Sequence, residues 1–191
     1  MKLISILLGC VVLAACQPPT LPRVTIVTTA GDIEVEINTL AAPITANNFL
    51  RYVDAGFYQG GTFYRTVTMD NQPDNDVRIE VIQGGANFDR EADAFSPIVL
   101  ERTNVTGIKH LDGVISMARG GPNTATQAIF ICIGDQASLD FGGMRNLDGQ
   151  GFGAFGRVIG GMDVVRRIQS GEARGQDLVV PVIIERVLRS N

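Results

Sequence analysis

The stretch Arg23–Ile37, RVTIVTTAGDIEVEI, alternates apolar and polar residues on both sides of Ala30-Gly31-Asp32. Such alternation is typical of β-strands with one buried face, and a glycine between them can adopt the positive φ that a tight turn needs. The stretch therefore predicts a β-hairpin, which is an antiparallel element.

The segments that follow extend this prediction along the chain. Pro43 opens PITANNFLRYVDAGF, whose apolar residues gather near one face of a helix that ends at Gly56, and a second short helix is predicted between Gly161 and Gly171. The order of elements lacks the regular strand–helix alternation of a parallel sheet, so it favours a mostly antiparallel sheet or barrel with two peripheral helices. The other strand-like runs are Thr62–Val67, Val77–Gln83, Gly113–Ala118, Ala128–Ile133, Phe152–Val158 and Val179–Leu188.

The N-terminal residues have the layout of a secretory signal. Lys2 precedes an apolar run from Leu3 to Ala15 that is too short to span a bilayer, and small residues lead into Cys16. Leu13-Ala14-Ala15-Cys16 resembles a bacterial lipobox, in which the cysteine becomes the lipidated first residue of the mature chain. The alternative is an ordinary cleaved signal that ends in cysteine by chance, although the cysteine lies where cleavage should occur.

We therefore expect a signal peptide at residues 1–15, a lipidated proline-rich tether at residues 16–23 and one folded domain at residues 24–191. Acyl chains on Cys16 would hold the domain at a membrane surface without a spanning helix. The expected location is the cell envelope, facing the periplasm. By resemblance to lipoprotein sorting in some bacteria, Gln17 favours the outer membrane.

Composition restricts the classes of function. The chain has 16 basic and 20 acidic residues, a net charge of −4 and no Lys/Arg cluster, so nucleic acid is not an expected partner. His110 is the only histidine and no Cys/His spacing surrounds it, so no metal site or other cofactor is expected. A Ser-His-Asp triad built on His110 stays open, but no nucleophile-elbow motif supports it. Cys132 has no partner in the mature chain and is expected to be a small buried hydrophobe.

The run Thr62–Val67, TFYRTV, reads as a strand but carries a permanent cation at Arg65. An unpaired guanidinium is costly to bury. Arg65 must therefore either point to solvent or stand at a functional site.

Three separated segments and a closing one are similar to those of the cyclophilin-type peptidyl-prolyl cis–trans isomerases. In order, they are FYRTV (63–67), IQGGANF (82–88), ISMARGGPNTATQAIFICIGD (115–135) and FGAFGRVIGGMDVVRRI (152–168). The resemblance covers about Val24 to Leu188, and the conjunction is specific even though each motif alone is not. It implies a closed eight-stranded antiparallel β-barrel with two peripheral α-helices. It further implies an enzyme that rotates X–Pro bonds of proline-containing polypeptides without a cofactor; we expect a monomer that meets the membrane only through its lipid anchor.

By the same resemblance, Arg65 and Gln83 are the predicted catalytic residues. The arginine would donate hydrogen bonds to the docked peptide, and the glutamine would orient both the arginine and the bound backbone. The predicted substrate-binding residues form an apolar slot for the proline ring and its adjoining wall: Met117, Ala118, Arg119, Phe130, Leu139 and Phe152.

Several positions depart from the family's usual residues. Ala128 stands where a second glutamine normally bonds the substrate backbone, Phe152 stands where a pocket histidine is usual, and Tyr64 replaces the histidine before the arginine. Glu80 or Val81 falls where a pocket phenylalanine and methionine are usual. Each lost hydrogen bond weakens binding by about 0.5–1.5 kcal/mol, so we expect activity at a reduced level. The alternatives are a proline-binding module or holdase with little turnover, and a purely structural envelope lipoprotein.

Overall fold

The computed structural model describes residues 20–190, without the side chains of Glu91 and Ala92. The predicted signal peptide, the lipidation site Cys16 and the first half of the predicted tether lie outside these residues. The strands are β1 (Arg23–Thr28), β2 (Gly31–Ile37), β3 (Gly61–Val67), β4 (Val81–Gly85), β5 (Val114–Met117), β6 (Ile129–Cys132), β7 (Gly153–Gly160), β8 (Ala173–Arg174) and β9 (Asp177–Ser190). The helices are α1 (Pro43–Asp54), α2 (Thr103–Thr106) and α3 (Met162–Gln169), with 3-10 turns at Phe88–Asp93 and Ala137–Leu139.

Eight strands close into an antiparallel barrel, as predicted. The order is β1-β2-β7-β5-β6-β4-β3-β9, and β9 pairs again with β1, so no edge is left open. The ninth strand, β8, is a two-residue addition beside the start of β9. The predicted hairpin is confirmed as β1 and β2, and Gly31 at its turn has a φ of 126°.

Both predicted helices are present, and α2 is an additional single turn that the sequence did not reveal. Helix α1 begins at Pro43, and Gly56 follows its end with a φ of 66°. The carboxylate of Glu101 accepts hydrogen bonds from the main-chain N–H groups of Ile44 (3.1 Å) and Thr45 (2.7 Å), which are among the donors that a helix start leaves without partners. No helix in residues 20–190 is long and apolar enough to cross a membrane.

The strands bury two apolar clusters, one on each face of the barrel wall. The larger fills the barrel interior and includes Ile82, Ile115, Met117 and Ile131. Because side chains alternate along a strand, their neighbours face outward and form a second set, here called the outer cluster. The outer cluster consists of Val67, Ile79, Val81, Phe130, Cys132 and Leu139, with Ala118 and Phe152 packed against it.

One strand begins later than the sequence predicts, and another is irregular where it contains a proline. The run expected from Val77 is a strand only from Val81 onward. The main-chain N–H and carbonyl of Ile79 form hydrogen bonds with the side chain of Gln72 instead of with a neighbouring strand. Strand β9 runs without interruption through Pro181, but its pairing with β3 loses register between Val182 and Asp177. A proline has no N–H for the ladder, so it fits at such an irregularity.

Cys132 is buried in the outer cluster with no disulfide partner. Burial raises the pKa of its thiol well above the ordinary value, so the nucleophilic thiolate is suppressed. Its position agrees with the expected role of a small hydrophobe.

Candidate active site

A β-bulge in β3 turns Arg65 to the outside of the barrel. Phe63 lies opposite Gly84 of β4 and Arg65 lies opposite Gln83, so β3 advances two residues where β4 advances one. The extra residue, Tyr64, interrupts the alternation of faces. Phe63 is therefore buried in the barrel, whereas Tyr64 and Arg65 both lie partly exposed on the outer surface.

Strand register brings residues from distant parts of the sequence into one outward-facing row. Arg65 lies opposite Gln83 of β4, Gln83 opposite Phe130 of β6, and Phe130 opposite Ser116 of β5. Paired residues of neighbouring strands share a face of the sheet. The row therefore places a guanidinium, an amide and an aromatic ring side by side over the outer cluster.

Neutral amides hold the guanidinium of Arg65. Its Nη1 donates to Oε1 of Gln83 at 2.6 Å, its Nε donates to Oε1 of Gln176 at 2.9 Å, and its Nη2 donates to the same oxygen. Gln83 is itself oriented, because its Nε2 donates to the hydroxyl of Tyr64 at 2.9 Å. Three of the five guanidinium N–H groups are thus used, which leaves two for a ligand.

Among the side chains that the structure describes, no carboxylate forms an ion pair with Arg65. Burial lowers the pKa of Arg65 from its ordinary value, while the nearby Asp177 and Tyr64 oppose this shift. The side chain nevertheless stays charged at neutral pH. The site therefore presents a partly desolvated cation, held in a fixed orientation, with its charge uncompensated by direct contact.

A hollow of about 210 Å³ opens beside this cation. Its apolar wall belongs to the outer cluster, and the rings of Phe130 and Phe152 meet edge to face with centroids 5.3 Å apart. Leu139 is 1% exposed and packs against the same rings. The full lining is Arg65, Ile79, Val81, Gln83, Ala118, Arg119, Phe130, Leu139, Arg145, Asn146 and Phe152.

Seven of the eight predicted catalytic and substrate-binding residues therefore surround one hollow. The exception is Met117, which is 1% exposed and belongs to the barrel interior. Its neighbour Ser116 occupies the outward row on β5, so alternation sends Met117 to the opposite face. The structure corrects the prediction for Met117, whose side chain does not reach the hollow.

Arg119 is buried and neutralised. Its side chain is 1% exposed and forms a two-pronged ion pair with Asp148, at 2.7 and 2.8 Å, while Nε donates to the carbonyl of Gly151 at 2.8 Å. The guanidinium lies 5.0 Å from the centre of the Phe152 ring. Arg119 thus fixes the loop between Asp140 and Gly151 against the wall of the hollow.

A buried polar network lies behind Phe130. Nδ1 of His110 lies 2.8 Å from Oδ1 of Asp140, Nε2 lies 3.0 Å from the hydroxyl of Ser116, and the imidazole stacks on the ring of Phe130. This order of groups matches the Ser-His-Asp arrangement that the sequence left open. Ser116 is 0% exposed, so its hydroxyl has no access to a substrate. The role of the network is structural, because it packs His110 against the ring of Phe130.

Four polar residues at the site were not found from the sequence. Gln176 precedes β9 and reaches Arg65, and Gln72 organises the loop between β3 and β4; no motif marks either. Arg145 and Asn146 come from the long loop after Asp140. Their signal was the excess length of that loop, which indicated room for a site but not which side chains enter it.

Within residues 20–190, no set of three or more His, Cys, Asp or Glu side chains is grouped as metal ligands would be.

Comparison with known proteins agrees with this geometry. The sequence profile of the cyclophilin type peptidyl-prolyl cis-trans isomerase/CLD family matches residues 23–188. Peptidyl-prolyl cis-trans isomerase A of Dickeya dadantii is 35% identical over 150 residues, 78% of this chain and 72% of the relative. A peptidyl-prolyl cis-trans isomerase of Streptomyces antibioticus is 36% identical over 165 residues, 83% of this chain and 92% of the relative.

A crystal structure of a Cryptosporidium parvum cyclophilin type isomerase shares the fold, with a TM-score of 0.68 and 20% identity over 90% of this chain and 98% of that one. The closed barrel and the arginine-centred hollow define a cyclophilin-like enzyme. The chain belongs to the cyclophilin-type peptidyl-prolyl cis–trans isomerases.

Proposed function

We propose that this isomerase rotates X–Pro bonds of exported polypeptides at the cell envelope, where lipid on Cys16 anchors it. The observation that carries the catalytic part is the position of Arg65. Its guanidinium is held by two amides, keeps two N–H groups unused, and borders a hollow that Phe130 also lines.

The chemistry asks only for selective stabilisation of a twisted amide. Double-bond character in the C–N bond gives a rotation barrier of about 18–20 kcal/mol. When the bond twists, conjugation is lost and the prolyl nitrogen becomes a better hydrogen-bond acceptor. A donor aimed at that nitrogen, or at the carbonyl beside it, stabilises the twisted state more than the planar ones. Each 1.4 kcal/mol or so of that difference speeds rotation about tenfold.

The surroundings of Arg65 suit this role. Phe130, Leu139 and Phe152 offer an apolar slot for the prolyl ring, and the slot fixes the ring while the peptide on the other side of the bond turns. Because the cation is partly desolvated, its hydrogen bonds are stronger than they would be in water. Because Gln83 and Gln176 hold it already, little reorganisation is needed during the reaction.

The proposed location rests on the sequence of residues 1–23. Three features support a lipid-anchored domain: the short apolar run, the lipobox-like Leu13–Cys16 and the proline-rich segment after it. The proline-rich segment would act as an extended tether between the membrane surface and the folded domain. An isomerase there would meet polypeptides as they fold after export, when slow X–Pro isomerisation limits folding.

Two measurements test the proposal. The first follows cis–trans exchange of a blocked Ala-Pro peptide by NMR: an isomerase accelerates exchange at catalytic concentration, whereas a holdase binds the peptide and leaves the exchange rate unchanged. The second expresses the full chain and its Cys16→Ser variant in a Gram-negative host with radiolabelled palmitate. Label and membrane fractionation should both be lost in the variant; labelling of both forms or of neither would contradict the anchor.

A further inference from the structure

We infer that the hollow selects X–Pro segments in which a residue next to the proline carries a carboxylate, and that Arg145 is the specificity-determining residue that binds it. The inference rests on the proposed function, because it requires the proline ring to occupy the slot formed by Phe130, Leu139 and Phe152.

The charges that line the hollow are one-sided. Three arginines line it and no acidic residue does. Arg119 is neutralised by its two contacts with Asp148, whereas Arg65 and Arg145 contact only neutral oxygens. Two uncompensated positive charges therefore share one concavity in a chain whose net charge is −4. A concave surface with one sign of charge concentrates ligands of the opposite sign.

The guanidinium of Arg145 is anchored through one nitrogen and keeps two others free of hydrogen bonds to the described residues. Its Nη1 donates to Oε1 of Gln72 and to the carbonyl of Val77, both at 2.8 Å. In the described part of the chain, its Nε and Nη2 have no acceptor. The anchor fixes the direction of the guanidinium, and the unused nitrogens offer the paired donors that suit a carboxylate.

The two guanidinium groups are close enough to affect each other. Burial lowers the pKa of Arg145, and the positive charge of Arg65 lowers it further. Such repulsion is relieved when an anion lies between two cations. A substrate carboxylate would supply that anion.

The next residue in the loop provides a third donor. Nδ2 of Asn146 is buried and finds no acceptor among residues 20–190. A buried amide without a partner is energetically costly, and a carboxylate or a peptide carbonyl in the hollow would satisfy it.

The size of the hollow limits where the carboxylate can come from. One hollow of about 210 Å³ is lined by the proline slot and by both arginines, so an anion bound to Arg145 would lie within a residue or so of the ring. Two sources share this chemistry: the side chain of Glu or Asp next to the proline, and the terminal carboxylate of a chain that ends shortly after it.

The test compares matched peptides in exchange NMR, with kcat/KM as the readout. Blocked Ala-Glu-Pro-Ala, Ala-Gln-Pro-Ala and Ala-Lys-Pro-Ala differ only before the proline, and Ala-Pro-Glu and Ala-Pro-Gln, both amidated, differ only after it. A final pair, Ala-Pro-Ala with a free or an amidated C-terminus, isolates the terminal carboxylate. The better acidic peptide should exceed its neutral partner by about fivefold at low salt, and about 0.5 M NaCl should reduce the ratio toward one.

Variants separate charge from structure. Arg145→Gln should abolish the acidic preference, and Arg145→Glu should reverse it in favour of Lys, an inversion that a merely structural role does not produce. Arg78→Gln is the matched control, because Arg78 is an exposed arginine near the end of the same β3–β4 loop that holds Gln72 and does not line the hollow. This control should keep the wild-type preference.

Each outcome decides between the two claims. Equal acceleration of acidic and neutral peptides by the wild type would overturn this inference and leave the isomerase intact, and so would a preference that survives Arg145→Gln. No acceleration of any peptide would refute the proposed function itself. If Arg145→Gln lowers the melting temperature, the test rests on the wild-type protein. Its ratio of kcat/KM for acidic over neutral peptides, and the salt dependence of that ratio, then decide whether the hollow prefers a carboxylate.

Discussion

Nη1 of Arg65 donates a 2.6 Å hydrogen bond to Oε1 of Gln83, its direct cross-strand neighbour on β4. The same strand pair is bulged at Tyr64, and the bulge places both side chains on the outer face of the barrel. The bulge thus brings Arg65 and Gln83 into position for this hydrogen bond. The sheet therefore sets the direction of the guanidinium, and Gln176, just before β9, accepts its other two hydrogen bonds.

Gln176 tests whether the cation must remain uncompensated. Gln176→Glu would place a carboxylate against Nε and Nη2 of Arg65, neutralising the charge where Gln176 now accepts both hydrogen bonds. We expect kcat/KM to fall about tenfold with no loss of melting temperature. Gln176→Ala is the companion variant, and its smaller fall would reflect lost orientation alone. Wild-type turnover in Gln176→Glu would show that the charge of Arg65 does not matter.

Ala128 offers a gain-of-function test. Its carbonyl accepts a 2.8 Å hydrogen bond from the N–H of Ala118, which lines the hollow, so the main chain at Ala128 runs beside the site. Ala128→Gln would add a donor for the substrate backbone, and one such bond is expected to raise kcat/KM about two- to tenfold. The gain should appear in KM more than in kcat. An unchanged KM would indicate that the substrate backbone does not pass Ala128.

Asp148 is predicted to stabilise the loop that carries Arg145. The hydrogen bonds from Arg119 hold the pKa of this carboxyl below its ordinary value. A lowered pKa means that the carboxylate stabilises the fold at neutral pH and that this contribution is lost as the pH falls through the folded-state pKa. Asp148→Asn should therefore lower the melting temperature by several degrees and raise KM, because the buried guanidinium loses its partner.

The control for that variant is Asp163→Asn, which removes a 3.2 Å ion pair with Arg167 between two exposed side chains. Its melting temperature should stay within about a degree of the wild type, since exposed pairs contribute little. Equal effects of the two substitutions, read by differential scanning calorimetry, would count against a special role for the Arg119–Asp148 pair.

We expect Asp140 to make the stability of the fold depend on pH in the acid range. Burial alone would raise the pKa of Asp140, but the hydrogen bonds from the ring and the main chain of His110 outweigh it and leave the pKa below its ordinary value. The carboxylate thus stabilises the fold above about pH 4 and loses this effect on further acidification. Asp140→Asn should reduce the difference in unfolding free energy between pH 7 and pH 3. Asp74→Asn, at an exposed position, should leave that difference unchanged, and equal curves for both variants would contradict the assignment.

Much of the site was predictable because it lies on strands. Alternation along β4 and β6 fixes the faces of Gln83 and Phe130, and the resemblance supplied the match to Arg65. The same alternation, applied from Phe130 through its partner Ser116, would have assigned Met117 to the interior. The prediction for Met117 was wrong because it rested on closeness to the site in the sequence and did not consider which face of β5 the side chain occupies.

The remaining features depend on tertiary contacts that no local pattern reports. The bulge at Tyr64 has no glycine or other marker in the sequence. The partner Gln176 and the anchor Gln72 act through loops whose course is set by what they pack against. Arg145 is likewise one charged residue among several in a long polar segment, and only the folded chain shows that it enters the hollow.

The most direct test measures kcat/KM for Ala-Pro exchange in Arg65→Ala beside the Arg78→Ala control, together with melting temperature and peptide affinity. We expect a fall of about a hundredfold or more for Arg65→Ala, with the fold retained and peptide binding reduced only in part, and no change for the control. Turnover at the wild-type rate in a folded Arg65→Ala protein would contradict it.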